Sequence, residues 1–417
     1  MYLKELTNEE FQNFTNTFFQ NSVYQTKEYA FVMNRQGFDS VFLGLVDETN
    51  HILAASLLLI QKKSGFKYAY APRGFLIDYT NFSLLQTFTV AIKKYLGKKD
   101  IIAVKISPMI VKSIYSSKNV LLGNNRNYDT LFENLKKLNY YHLGYNNYFE
   151  ALKPRFEVIL DIDKPLPTIF KNFNRGLKNK IRNSIYKGTS VHRGIKEDLQ
   201  ELYLEVKENY PRKLGYFDDI YHYFEKEKKV DFYYTTLNTE KFLTVSKKLY
   251  EVQEEFNSSL NNIILNKNVQ KKDFYINKKI EADTHLEHYK SQLVKATNLL
   301  RDNPDGVITS TALILKERDT VYLFMDGYDK KYKEFNGKHL LLWSLIQKYS
   351  QEGFKHFNLG GVSNILLEEN EYQGLNIFKT NWGGITYEYA GDFELITNQA
   401  LYFMYKNAAP LRNIFKR

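Results

Sequence analysis

Between residues 242 and 300 the chain carries two apolar series with the same beat, and they narrow its possible folds most. Phe242, Val245, Leu249, Val252, Phe256, Leu260 and Ile263 follow one another in steps of 3, 4, 3, 4, 4 and 3. After the polar stretch 266–272, Leu286, Tyr289, Leu293, Ala296 and Leu300 continue in steps of 3, 4, 3 and 4. Such alternation draws an apolar line along one side of a helix, the seam of paired helices. Asn303-Pro-Asp-Gly306 then breaks the second helix. Because the surfaces away from the seam are polar, the pattern predicts an antiparallel coiled-coil hairpin over 241–305; two ordinary core helices are the alternative.

On either side the pattern is mixed α/β. Thr7 and Glu10 form a capping-box signature before a helix with Phe11, Phe14 and Phe18 on one face. Residues 41–46 and 52–60 read as paired strands, 68–71 as a third, 82–96 as an amphipathic helix and 101–106 as a buried strand. A second α/β unit begins near Arg155. It has a strand at 156–160, a hairpin over 313–324, a helix at 338–350 and strands at 354–359 and 385–393. These limits give domains at 1–153 and at 154–240 plus 306–417, the length of 417 residues being enough for two or three.

The chain has no cysteine, which excludes disulfides, thiolate metal sites and cysteine nucleophiles. Its longest uncharged apolar run, 52–60, is too short to span a membrane. The acidic start, Met1 to Glu10, does not read as a signal peptide, so a cytoplasmic location is expected. The balance of 58 Lys and Arg against 47 Asp and Glu suggests an anionic partner, unless it reflects compositional bias.

The positive charge is concentrated in one place. From Lys164 to Lys196 there is no acidic residue and there are nine basic ones. Phe170, Phe173, Leu177, Ile181 and Ile185 mark an apolar helix face, and Lys171, Arg175, Lys178 and Arg182 line another. Like charges at this spacing repel. Either acids elsewhere in space balance them or they bind phosphates, of an RNA or of a diphosphate-linked substrate.

Catalytic motifs are sparse. There is no His-x-x-x-His pair, no phosphate-binding Gly-x-x-x-x-Gly-Lys-Ser/Thr loop and no Gly-x-Ser-x-Gly elbow. The chemistry must need little covalent help, or the protein only binds. Transfer from an already activated ester, such as an aminoacyl-tRNA, to an amine fits: it needs alignment, a proton acceptor and a positive charge near the carbonyl oxygen.

Five segments in order resemble the FemABX family of peptidoglycan branch-forming aminoacyltransferases. Tyr70-Ala-Pro-Arg-Gly-Phe-Leu-Ile-Asp-Tyr79 is similar to that family's P-R-G…D-Y segment, and Phe357-Asn-Leu-Gly-Gly-Val-Ser363 to its Y-N-x-G-G-I-S turn. Gly374-Leu-Asn-Ile-Phe-Lys-Thr-Asn-Trp-Gly-Gly384 and Glu388-Tyr-Ala-Gly-Asp-Phe393 look like its F-K-x-x-F-G-G and E-Y-x-G-x-F ending. Tyr328 to Tyr332 with Trp343 fits the part before them. The resemblance implies two GNAT-like (acyl-CoA N-acyltransferase-like) α/β domains with the helical arm inserted in the second. It implies transfer of an aminoacyl group from charged tRNA to an amine of the lipid II stem peptide or a growing bridge, at the inner membrane surface, with no metal or coenzyme. Association with itself or with related chains is a further expectation from the same resemblance.

The resemblance also assigns residues. Lys379 would stabilise the oxyanion, and Phe378 would pack beside the terminal adenosine of the tRNA. Arg212, Lys213 and Tyr216 fall where the family contacts the muramyl diphosphate; Arg73 and Tyr79 come from the P-R-G…D-Y segment, as substrate contacts or as structural groups of a turn. Two departures stand out. The family's K-x-D-P reads Lys105-Ile-Ser-Pro108, so Ser107 replaces the aspartate; its W-x-x-V-K reads Tyr29 to Met33, so Met33 replaces a diphosphate lysine, with Arg35 the expected substitute. Two other readings of the chain are a coenzyme-A-dependent N-acyltransferase and a non-catalytic RNA-binding or scaffold protein.

Overall fold

The computed structural model describes residues 1–63, 65–147, 153–210, 212–266 and 270–407. The first part of the chain runs β1 (Tyr2–Glu5), α1 (Asn8–Thr17), α2 (Lys27–Arg35), β2 (Asp39–Val46), β3 (Ile52–Lys63), β4 (Phe66–Ala71), α3 (Phe82–Lys98), β5 (Ile101–Ile106), β6 (Val111–Tyr115), β7 (Leu121–Asn124), α4 (Tyr128–Lys137) and β8 (Tyr140–His142). Next come β9 (Phe156–Asp161), α5 (Leu166–Asn172), α6 (Arg175–Tyr186), β10 (Thr189–Gly194), α7 (Leu199–Val206), α8 (Leu214–Glu225) and β11 (Val230–Leu237). Two long helices follow, α9 (Thr239–Leu265) and α10 (Lys272–Asp302). The chain then forms β12 (Val307–Glu317), β13 (Thr320–Tyr328), α11 (Gly337–Gln351), β14 (His356–Val362), α12 (Gln373–Thr380), β15 (Ile385–Tyr389), β16 (Phe393–Ile396) and α13 (Gln399–Asn407).

The strands form a seven-stranded sheet, β1-β2-β3-β4-β5-β16-β8, and a nine-stranded one, β10-β11-β12-β13-β14-β9-β15-β6-β7. Each contains the same unit: an antiparallel meander (β2-β3-β4; β11-β12-β13), a helix (α3; α11) and a strand parallel to the last of the meander (β5; β14). Parallel neighbours require such a crossover, which explains why a helix stands before each of these strands. The two-unit α/β architecture is as the patterning predicts.

The sheets do not divide at residue 153. β6 and β7 lie in the nine-stranded sheet and β16 in the seven-stranded one. The single strand expected over 385–393 is two, separated at Ala390-Gly391-Asp392, each serving a different sheet. A hydrophobic run shows that a strand is buried but not which sheet buries it. A shared core further ties the halves together: Val32 and Met33 of α2 pack in one cluster with Phe217 and Ile220 of α8 and Leu313 of β12.

The arm departs from its apolar pattern. The helices run antiparallel, as the pairings Ser246 with Gln292 and Asn257 with Asp283 require. Phe242 and Leu260 are buried, but Val252 and Phe256 are 57% and 38% exposed. Ser246 and Asn257 are buried on α9, as are the small Ala282 and Ala296 on α10. Gln253 donates to the Ala282 carbonyl (3.2 Å) and Asn257 to Asp283 (2.8 Å). The basic segment is likewise two helices: Asn174 interrupts it and caps α6, accepting from the Leu177 N–H (2.7 Å).

Candidate active site

The β13–β14 pairing holds only from Thr320↔His356 to Tyr322↔Asn358. Beyond it the strands diverge, and the wedge between them opens into a cavity of about 640 Å³. Leu323 to Tyr328 form one wall and Asn358 to Gly361 the other; α2, α7 and the segment around Lys153 close it.

Lys379 reaches this cavity from α12. Ser363, just after β14, donates its backbone N–H to Asn376 (3.0 Å), and the Asn376 amide returns a bond to the Ser363 hydroxyl (2.9 Å), so the helix carrying Lys379 is pinned to the strand beneath it. Lys379 Nζ donates to the Gly361 carbonyl (2.9 Å). Gly360 has φ +79°, and a Cβ there would stand 3.2 Å from Nζ, so the adjacent glycine is needed both for the backbone turn and for the lysine's position. Burial, reinforced by Lys338, pushes the amine down to about 8, while Asp326 and Glu157 oppose the shift. At neutral pH it is still mainly an ammonium.

Phe378 does not line the cavity. Its ring lies between Lys338 Nζ (4.6 Å) and the His339 ring (5.3 Å between centroids). Burial holds His339 near 4, with Lys180 and Lys338 also disfavouring its charge, so the imidazole is neutral at physiological pH.

Of the other residues expected at the site, Arg212 and Tyr216 line the cavity, with the guanidinium 4.9 Å from the Tyr216 ring. Lys213 is exposed at the start of α8, outside the lining. Arg35 is 67% exposed and turned toward Asp219, whereas Met33 faces the cavity. The amine that does line the cavity there is Lys153, whose Nζ sits 2.9 Å from the Tyr24 ring centroid. Burial, with Arg73 close by, pushes that amine well below the ordinary lysine range.

Arg73, Tyr79, Lys105 and Ser107 are structural neighbours of the cavity and not part of its lining. Arg73 bridges the sheets, donating to Glu157 (2.6 Å) and the Pro154 carbonyl (2.8 Å) with Tyr389 beneath it. Tyr79 is buried in the first core and accepts the Phe75 N–H (2.8 Å). Lys105 pairs with Asp392 (2.6 Å), and Ser107 donates to the same carboxylate (2.5 Å) while bonding Tyr70 (3.0 Å). The aspartate missing at position 107 thus has a counterpart arriving from the loop before β16. Asp392 belongs to the Glu388–Phe393 segment, but that segment does not indicate its pairing with Lys105 and Ser107.

Lys171, Arg175 and Arg182 are exposed and Lys178 partly so. Among the described residues none of the four is in an ion pair. Asn174, the α6 cap, donates to Asn381 at the end of α12 (3.2 Å), so the basic face begins beside the helix that carries Lys379. Among the described residues no group of three or more His, Asp or Glu could hold a metal ion, and no helix is long and apolar enough to cross a membrane.

The fold and cavity define a two-sheet α/β protein built around a buried ammonium in a cleft between diverging strands. The family model described as FemAB matches residues 6–409, and the chain belongs to the FemAB family. It is 26% identical over 416 residues to the lipid II:glycine glycyltransferase of Staphylococcus haemolyticus, covering 97% of this chain and 95% of that one. It is 24% identical over 427 residues to the aminoacyltransferase FemA of Staphylococcus epidermidis, covering 99% and 100%. The crystal structure of FemX has the same fold, with a TM-score of 0.73 at 21% identity over 97% of this chain and 99% of that one.

Proposed function

We propose that this protein transfers an aminoacyl group from a charged tRNA to an amine of the lipid II stem peptide or of a bridge already begun on it. The observation that carries this reading is the buried Lys379 ammonium at the wall of a 640 Å³ cavity, in a chain of the FemAB family. An aminoacyl ester needs no enzyme nucleophile. Attack by an amine forms a tetrahedral oxyanion, and a preorganised ammonium in a low-dielectric site stabilises that charge. Lys379 is the oxyanion partner in this reading, and the cleft aligns ester and amine.

Arg212 and Lys153 face the anionic part of the acceptor. The cationic surface of α6 faces the tRNA backbone, with Phe378 and Lys338 beside its acceptor end. Arg175 and Lys178 stand in the first turn of α6, where the helix dipole disfavours cations, so a bound anion relieves an arrangement that otherwise costs stability. A lipid-linked acceptor brings the protein to the inner membrane face.

Purified protein, lipid II and each aminoacyl-tRNA, tested separately, are expected to give a mass increase of one or more residues for at least one tRNA. No increase with any charged tRNA refutes the reading.

A further inference from the structure

One carboxylate facing this cavity has no part in that scheme. Glu205, on α7, lines the wall formed by β13, opposite the β14 wall where Lys379 enters. The Thr311 hydroxyl of β12 donates to its Oε2. Position 327 must be glycine for the carboxylate to lie there, because a Cβ would fall 2.6 Å from both Oε2 and the Glu205 Cβ. Among the described residues Oε1 accepts no hydrogen bond.

The geometry points to Glu205 as the general base that takes a proton from the acceptor ammonium. This rests on the proposed transfer reaction. The acceptor enters as R–NH₃⁺, and Glu205 removes one proton. The amine nitrogen then bonds the ester carbonyl carbon, with the oxyanion held by Lys379. Collapse breaks the carbon–oxygen bond to the ribose, the second nitrogen proton passes to that departing oxygen, and Glu205 releases its proton to solvent. One amide, one free ribose hydroxyl and one proton result.

The charged groups facing Glu205 are Asp326 of β13, Asp329 just beyond it, and Lys338 of α11, which pairs with Asp326. Lys330 is held by Glu208 (3.7 Å), and the segment leading into α8 brings Arg212 to the same cavity. Burial, aided by the two aspartates, lifts the Glu205 carboxyl to about 7, against the opposing effects of Thr311 and Lys338. A base poised near working pH is well matched to proton transfer.

The test is a pH–rate profile of wild type, E205Q and E205D with lipid II and the productive aminoacyl-tRNA, with thermal unfolding as a check on folding. Wild type is expected to rise through about pH 7. E205Q is expected to lose roughly 10²-fold or more in kcat with little change in KM. Its rise moves up to the acceptor amine's own range, ~8 for an α-amine or ~10 for a lysine. E205D, which keeps a carboxylate, retains a rise near neutrality at lower kcat and decides the matter if E205Q does not fold. Wild-type kcat and an unchanged profile in E205Q, or an E205D profile like that of a carboxylate-free site, overturn the assignment and leave the transfer reading intact. Absence of transfer by the wild type removes both.

Discussion

The site contrasts two ionisable groups that burial moves in opposite directions. Lys379 is brought down to about 8 and Glu205 up to about 7. The ammonium is present below about 8 and lost above it, whereas the carboxylate is present above about 7. Turnover is therefore expected to follow a bell with its maximum between the two, read directly from kcat against pH. K379A is expected to lower kcat by roughly 10²–10³-fold without unfolding the protein. K379R, whose guanidinium stays charged, is expected to keep part of the activity and lose the fall above pH 8. Lys379 was legible in the sequence because it lies inside a dense local motif. Glu205 and Lys153 were not, because each is brought to its place by a segment that carries no motif; Asp392 lies within the Glu388–Phe393 motif, but its pairing with Lys105 and Ser107 is not written there.

At the scale of elements, α6 and the end of α12 meet through Asn174 and Asn381, so the basic face begins beside the helix that carries Lys379. R175E/K178E/R182E is expected to weaken tRNA binding while leaving the unfolding temperature nearly unchanged. The dependence of log Kd on log salt is expected to flatten by ~0.7–0.9 for each phosphate the variant no longer neutralises, measured by filter binding at several salt concentrations. The basic face was readable from charge spacing, but its break at Asn174 was hidden because the apolar face continues across it. The arm shows the converse. Its helices were legible from the three-and-four beat. Its packing was not, because Ser246, Gln253 and Asn257 find partners on the facing helix and so occupy inner positions that a purely apolar pattern reserves for hydrophobic residues.

For the whole molecule, the cavity opens where β13 and β14 diverge and is closed by residues from the first part of the chain. Arg73, after β4, and Glu157, on β9, form a buried pair across the two sheets; burial disfavours the guanidinium's charge, and the Glu157 carboxylate outweighs it and holds the group protonated. R73M leaves the Glu157 carboxylate buried without that partner and is expected to cost about 3–5 kcal/mol in urea unfolding, far more than loss of an exposed pair. Periodicity, capping and short-range spacing were enough to specify the two arm helices, several strands and helices on either side of them and the mixed α/β class, and the resemblance marked the motif carrying Lys379, since each of these is written within a few turns of chain. Long-range packing alone settled that β6, β7 and β16 change sheets, that Lys153 and not Arg35 lines the cavity, and that Glu205 and Lys379 line the same cavity. Those outcomes depend on how far β13 and β14 part and on which buried groups meet, and both are set by contacts between segments distant in the chain.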